Sequence, residues 1–145
     1  MRRLAVALAA LVLLPFVPGT ASAAPATGAA EDCGVRVNRP HFSRQYQEIH
    51  TRIESFCLVP AMANTVSGRT YRLRFWGWEL VGESAPVTTK PPGAFVQNNR
   101  ETVTAPCEPG SRYRYRTEAF GTVVLPNGTY SASAYEQNDQ EIQCS

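Results

Sequence analysis

Ser111-Arg112-Tyr113-Arg114-Tyr115-Arg116-Thr117-Glu118-Ala119-Phe120-Gly121-Thr122-Val123-Val124-Leu125, closed by Pro126-Asn127-Gly128-Thr129, is the longest alternating run of the chain. An extended strand sends successive side chains to opposite sides. Tyr113, Tyr115, Thr117, Ala119, Gly121, Val123 and Leu125 therefore share one face, and Arg112, Arg114, Arg116, Glu118 and Phe120 share the other. The pattern is that of a half-buried strand. Asn127-Gly128 accepts the positive φ angles of a tight hairpin turn, so the chain is expected to double back at Tyr130.

The same period runs outward from this segment. Val35 and Val37 alternate with Arg36 and Asn38 up to Pro40, and Ile49, Thr51, Ile53, Ser55 and Cys57 alternate with His50, Arg52, Glu54 and Phe56. Tyr71, Leu73 and Phe75 alternate with Arg72, Arg74, Trp76 and Trp78. Turns are expected at Gly82–Pro86 and at Lys90-Pro91-Pro92-Gly93, with a short strand at Phe95-Val96 and a further turn at Pro109-Gly110. No internal repeat and no helical period interrupts the series. The expected fold is all-β: an antiparallel, immunoglobulin-like β-sandwich of six to eight short strands.

Arg2 and Arg3 precede an apolar run from Leu4 to Val17, and Ala21-Ser22-Ala23 supplies an A-x-A cleavage signal. The run makes about 21 Å of helix, short of a bilayer core of about 30 Å. Residues 1–23 are therefore expected to be a cleaved secretory signal peptide, residues 24–32 a flexible tail and residues 33–145 a single domain. Of 14 Lys+Arg, two lie in the leader, which leaves 12 against 12 Asp+Glu. A neutral domain lacks the overall basic excess of a general nucleic-acid binder. After cleavage the expectation is a secreted monomer with no nucleic-acid or membrane partner.

Four cysteines remain in the exported part, Cys33, Cys57, Cys107 and Cys144. They are too widely spaced for a zinc site, and an even number outside the cell implies two disulfides with three possible connectivities. The sandwich topology chooses among them. The start of the first strand meets the end of the second at one end, and the last strand closes beside the fifth at the other. The pairs are then Cys33–Cys57 and Cys107–Cys144.

Taken together, Cys33 with Val35, Val37 and Pro40-His41-x-Ser43, then Cys57 with Pro60, a strand at Tyr71 to Trp76, Cys107, Gly110, Tyr113 to Tyr115, Pro126-x-Gly128 and Cys144 resemble a broad group of small secreted actinobacterial four-cysteine proteins of unknown function. The resemblance implies fold and secretion and carries over no active-site residue. The chain departs from the group where Arg and Trp replace small Ser/Thr-rich strand faces.

Candidate chemistry is sparse. His41 and His50 are the two imidazoles of the sequence. Neither sits in a nucleophile motif, and a His41/His50/Glu48 metal site has no supporting ligand spacing. The acidic residues are scattered and phosphate loops are lacking, so the chain reads as a non-enzyme without cofactor or metal. The notable feature is the expected outward face of two neighbouring strands, where Arg72, Arg74, Trp76 and Trp78 lie beside Arg112, Arg114 and Arg116. Guanidinium forks bind anions bidentately, and indoles stack on sugars. That points to a non-catalytic binding module for anionic cell-envelope or extracellular polysaccharide polymers. The competing reading has the same residues stack on one another as scaffold, with Glu79, Glu118, Glu136 and Glu141 neutralising them. An alternative function is that of an inhibitor or effector of a secreted enzyme, acting through a proline-stiffened 88–93 loop at Thr88, Thr89, Lys90, Pro91 and Pro92; a secreted protein is the corresponding partner.

Overall fold

A computed structural model describes residues 32–90 and 98–145. The expected signal peptide, nearly all of the tail, the Phe95-Val96 strand and Pro91 to Gly93 of the loop lie outside the described residues. The rest is all-β. Ten strands follow in order: β1 (Cys33–Val37), β2 (His41–Ser43), β3 (Glu48–Cys57), β4 (Ala63–Arg74), β5 (Gly77–Thr89), β6 (Asn98–Pro106), β7 (Arg112–Tyr113), β8 (Tyr115–Leu125), β9 (Gly128–Gln137) and β10 (Ile142–Gln143). All pairings are antiparallel. One sheet places β3 between β6 and an edge shared by β1 and β2, the second runs β5-β4-β8-β9, and β7 and β10 form a separate ribbon. The two sheets pack as a β-sandwich, and no helix among the described residues is long and apolar enough to cross a membrane.

The strand count exceeds the expected six to eight, and several strands are not short. Pro40 interrupts the first strand, but the chain resumes at once as β2, so both pieces pair with β3. A break at Arg114 splits β7 from β8. The expected turn at Gly82–Pro86 is instead the middle of β5. Two register shifts in the β4–β5 pairing, between Val66 and Gly68 and between Thr70 and Tyr71, each give β5 an extra residue. Bulges of this kind take up Gly82 and Pro86 without ending the strand.

The inward faces of β3 and β8 are those read from the alternation, with Ile49, Thr51, Ile53, Ser55 and Cys57 facing Tyr115, Thr117, Ala119, Gly121, Val123 and Leu125. The face of β4 is reversed. Arg72 is paired across from Tyr115, Thr70 from Thr117 and Gly68 from Ala119, so the even-numbered residues point inward and Tyr71 and Leu73 point out.

The core lies in three clusters along the sandwich. The central one is Ile53, Val66, Val103 and Ala119. Each end cluster holds one disulfide, Cys33–Cys57 near Ala61, Val123 and Leu125 and Cys107–Cys144 near Ile49 and Tyr115, which is the expected connectivity. Between them the inner surface carries buried polar side chains, several bonded to one another, while Ser55 Oγ and Asn64 Oδ1 have no hydrogen-bond partner among the described residues. Thr117 Oγ1 donates to Thr51 Oγ1 across the sheets at 2.9 Å and shares a 2.8 Å bond with Thr70 on β4. Asn64 Nδ2 donates to the Ser55 carbonyl, and Asn99 Nδ2 donates to the carbonyls of Asn64 and Val87. Small residues permit this approach: a Cβ on Gly68 would lie 2.7 Å from Val103 Cγ2, and one on Gly121 2.6 Å from Val35 Cγ2.

Candidate functional site

The seven Arg and Trp residues expected on one face fall into four environments. Arg72, only 8% exposed, is enclosed at the end of the sandwich. Its Nε donates to Glu79 Oε2 at 2.7 Å and its Nη1 to Glu108 Oε1 at 2.8 Å. Arg74 donates to the same Glu79 oxygen at 3.0 Å and to the Tyr113 hydroxyl. The Tyr113 ring covers both guanidiniums, 5.1 Å from Arg72 and 4.4 Å from Arg74. Burial works against the Arg72 charge, but its hydrogen bonds to Glu79 and Glu108 outweigh it and hold the guanidinium pKa above its usual range. The hydrogen bonds of Arg72, joined by Arg74 at Glu79, hold both carboxyls below the usual carboxylate range. This network closes the end of the core. Its cations are occupied by the protein's own carboxylates.

Arg112 and Arg114 follow the β7 ribbon. Arg112 is exposed and donates to Gln143 Oε1, whereas Arg114 sits at the break before β8 and donates from Nε to the Asn138 carbonyl. Neither forms an ion pair among the described residues.

Arg116 and Trp78 do meet, on the outer face of the β5-β4-β8-β9 sheet. The Arg116 guanidinium lies 4.9 Å from the Trp78 ring, 5.5 Å from Tyr71 and 5.7 Å from Tyr135, and Nη2 pairs with Glu118 at 2.7 Å. Register explains the grouping: Tyr71 sits opposite both Leu80 and Arg116, Leu73 opposite Trp78, and Glu118 opposite Tyr135. One row further on, Arg69 pairs with Glu83 at 2.8 Å and lies 5.8 Å over Phe120. This outer face is therefore aromatic and close to neutral. Tyr135 (63%) and Leu80 (49%) are its most exposed apolar members.

Trp76 is in none of these groups. It stands with Phe75 at the tip of the β4–β5 hairpin, where Arg74 faces Gly77. Phe75 is 96% exposed and Trp76 62%, and their rings meet edge to face at 4.4 Å. Gly77 takes φ +123°, so the turn's unusual backbone falls on glycine and the two tip positions are open to bulky side chains. The alternation through Phe75, Trp76 and Trp78 had hidden this reversal, because the turn has no Asn-Gly or Asp-Gly. The Trp-Gly-Trp sequence was its signal.

The histidines are neighbours across β2 and β3, with ring centroids 6.4 Å apart, and Tyr46 stacks on His50 at 5.1 Å. Glu48 Oε2 is 3.7 Å from His50 Nε2. Among the described residues no three His, Cys, Asp or Glu side chains converge as a metal site would need. Of the loop considered for inhibition, Thr88 and Thr89 end β5, Thr88 shares a 2.7 Å hydroxyl bond with Thr65, and Lys90 is exposed. Pro91 and Pro92 lie outside the described residues.

Comparison with protein-family models finds no match to this sequence, and comparison with curated proteins finds none either. Among solved structures the chain is similar to the sporulation control protein Spo0M from Bacillus subtilis, at 9% identity and a TM-score of 0.33. That match covers 79% of this chain and 50% of the other, so the chain spans half the length of that protein.

Proposed function

We propose that this is a secreted, non-catalytic binding protein whose contact surface is the outer face of the β5-β4-β8-β9 sheet. The observation that carries the reading is the aromatic set Tyr71, Trp78, Phe120 and Tyr135, with Leu80, on a face that covers none of the protein's own core. Tyr135, Leu80 and Phe120 are exposed and Tyr71 and Trp78 half-buried, and exposed apolar surface of this kind marks contact sites. Two disulfides suit an oxidising exterior.

The ligand class is a polysaccharide chain of the envelope or the extracellular medium. Sugar rings stack on the Trp78 and Tyr135 side chains while Arg116, set among the rings, orients hydroxyl or carboxylate groups. The arginines of this face are already matched by Glu83 and Glu118. Attraction to polyanions is thus secondary to stacking, and binding depends weakly on salt.

The test is co-sedimentation of protein 24–145 with peptidoglycan, with and without teichoic acid, and with chitin and cellulose, at low and high salt. Retention on one polymer at both salt levels, lost in Trp78→Ala/Tyr135→Ala, is the expected result. Failure to bind any polymer overturns the reading. Loss of binding in Arg112→Ser/Arg114→Ser alone, with steep salt dependence, would move the site to the β7 ribbon.

A further inference from the structure

The tip of the β4–β5 hairpin lies apart from the outer-face aromatic group. Turn positions are ordinarily filled by Gly, Asn, Asp or Ser, which suit the backbone and face water. Here Gly77 meets the backbone requirement, and nothing in the fold calls for aromatics at Phe75 and Trp76. They touch each other, and Arg74 lies 5.9 Å over Trp76, but neither contributes to the three core clusters. Two large apolar side chains are thus held at the most exposed point of a long hairpin.

The shape limits what covers them. A protruding wedge of two side chains is far smaller than the surface a stable protein–protein contact buries. It also has no groove to grip a chain ligand. A lipid interface needs no complementary shape and accepts aromatic rings at the headgroup level, where Trp in particular is enriched.

The base of the tip has the matching charge. The Leu73 amide donates to the Arg114 carbonyl, which puts Arg114 one step below the turn, and Arg112 is the exposed residue of β7 just beyond it. Neither has a carboxylate partner among the described residues, while Arg72 and Arg74 behind them are ion-paired. Glu141 precedes β10, whose Ile142 and Gln143 pair with Tyr113 and Arg112. An apolar insertion flanked by cations is the two-signal arrangement by which peripheral proteins hold a membrane.

We propose that the Phe75-Trp76 tip inserts into the headgroup layer of a phospholipid bilayer, with Arg112 and Arg114 meeting lipid phosphates. This is peripheral contact, not spanning, and it departs from the expectation of no membrane partner. It stands independently of the polysaccharide reading, because it uses a different element.

The test is flotation of protein 24–145 with phosphatidylcholine vesicles and with vesicles that also contain phosphatidylglycerol. Trp emission is read in a Trp78→Phe background, where Trp76 is the sole indole. The expected result is flotation with a blue shift of Trp76 and quenching by brominated lipid. Phe75→Ser/Trp76→Ser should lower partitioning at least about tenfold. Arg112→Gln/Arg114→Gln should weaken binding to the phosphatidylglycerol vesicles alone. Circular dichroism and an unchanged thermal midpoint establish that the tip variant is folded. No flotation with either vesicle, or flotation that survives Phe75→Ser/Trp76→Ser, overturns the proposal. Polymer co-sedimentation of the tip variant keeps the two readings apart, since its loss there would assign the tip to the polymer.

Discussion

Arg72 shows how one side chain's surroundings override its type. Its guanidinium is buried because Glu79 and Glu108 accept its hydrogen bonds and Tyr113 covers it, and removing it leaves Glu108 without its donor and Glu79 with Arg74 alone. Arg72→Met is therefore expected to lower the thermal midpoint more than Arg112→Met or Arg114→Met, by differential scanning fluorimetry. The same network sets an acid limit. Glu79 and Glu108 titrate below their ordinary value of 4.5 because Arg72 hydrogen-bonds their charged forms. The stabilisation they contribute is present above that value and lost as pH falls through the lowered one. A pH series of melting curves should fall away below about pH 4.5, and less steeply in Glu79→Gln/Glu108→Gln, which begins lower at neutral pH. In the core, Thr117 links both sheets through its hydroxyl. Thr117→Val keeps the volume but strands Thr51 and Thr70, and should cost about 1–3 kcal/mol in urea unfolding.

At the level of elements, the β4–β5 hairpin separates stability from contact. Phe75 and Trp76 are exposed and pack on no core cluster. Phe75→Ser/Trp76→Ser should leave unfolding free energy within about 0.5 kcal/mol of the parent. Gly77, with φ +123°, is the residue that the turn requires. A β-branched replacement there should destabilise the hairpin by about 1–3 kcal/mol, seen as faster amide exchange at the ends of β4 and β5. The outer-face residues occupy a middle position. Trp78, Tyr71 and Arg116 support one another, so single substitutions there test binding and packing together, while Tyr135 on edge strand β9 tests binding more cleanly.

Across the whole molecule, each disulfide closes one end of the sandwich over a core of small and polar side chains. The sequence separations of 24 and 37 residues correspond to about 3–4 kcal/mol each by loop entropy. A domain of this size has about 5–15 kcal/mol in total. Replacing either pair by serine should lower the urea midpoint strongly. The two variants should differ in kind. Cys107→Ser/Cys144→Ser also frees the β7–β10 ribbon that carries Tyr113 over Arg72 and Arg74, so it alone should flatten the acid dependence described above.

Fold class and the inward faces of β3 and β8 were legible from local rules, because period-2 alternation is a property of the chain itself, and the disulfide pairing followed once the sandwich topology was expected. The same alternation states that a strand has two faces without saying which one is inward. In β4 the apolar set Tyr71, Leu73 and Phe75 pointed the wrong way, since the buried set is Val66, Gly68, Thr70 and Arg72. Small, hydroxyl and charged side chains look like a solvent face until the partners that satisfy them are known. Those partners, Thr51, Thr117, Glu79 and Glu108, come from other strands. The β5 bulges and the Phe75-Trp76 turn depend likewise on cross-strand register. The sequence by itself determined that this is a stapled antiparallel sandwich. Only the tertiary structure decided that its arginines divide between a closed ion-pair network, an aromatic outer face and the base of an exposed hairpin, because pairing across strands and burial between sheets are not local properties.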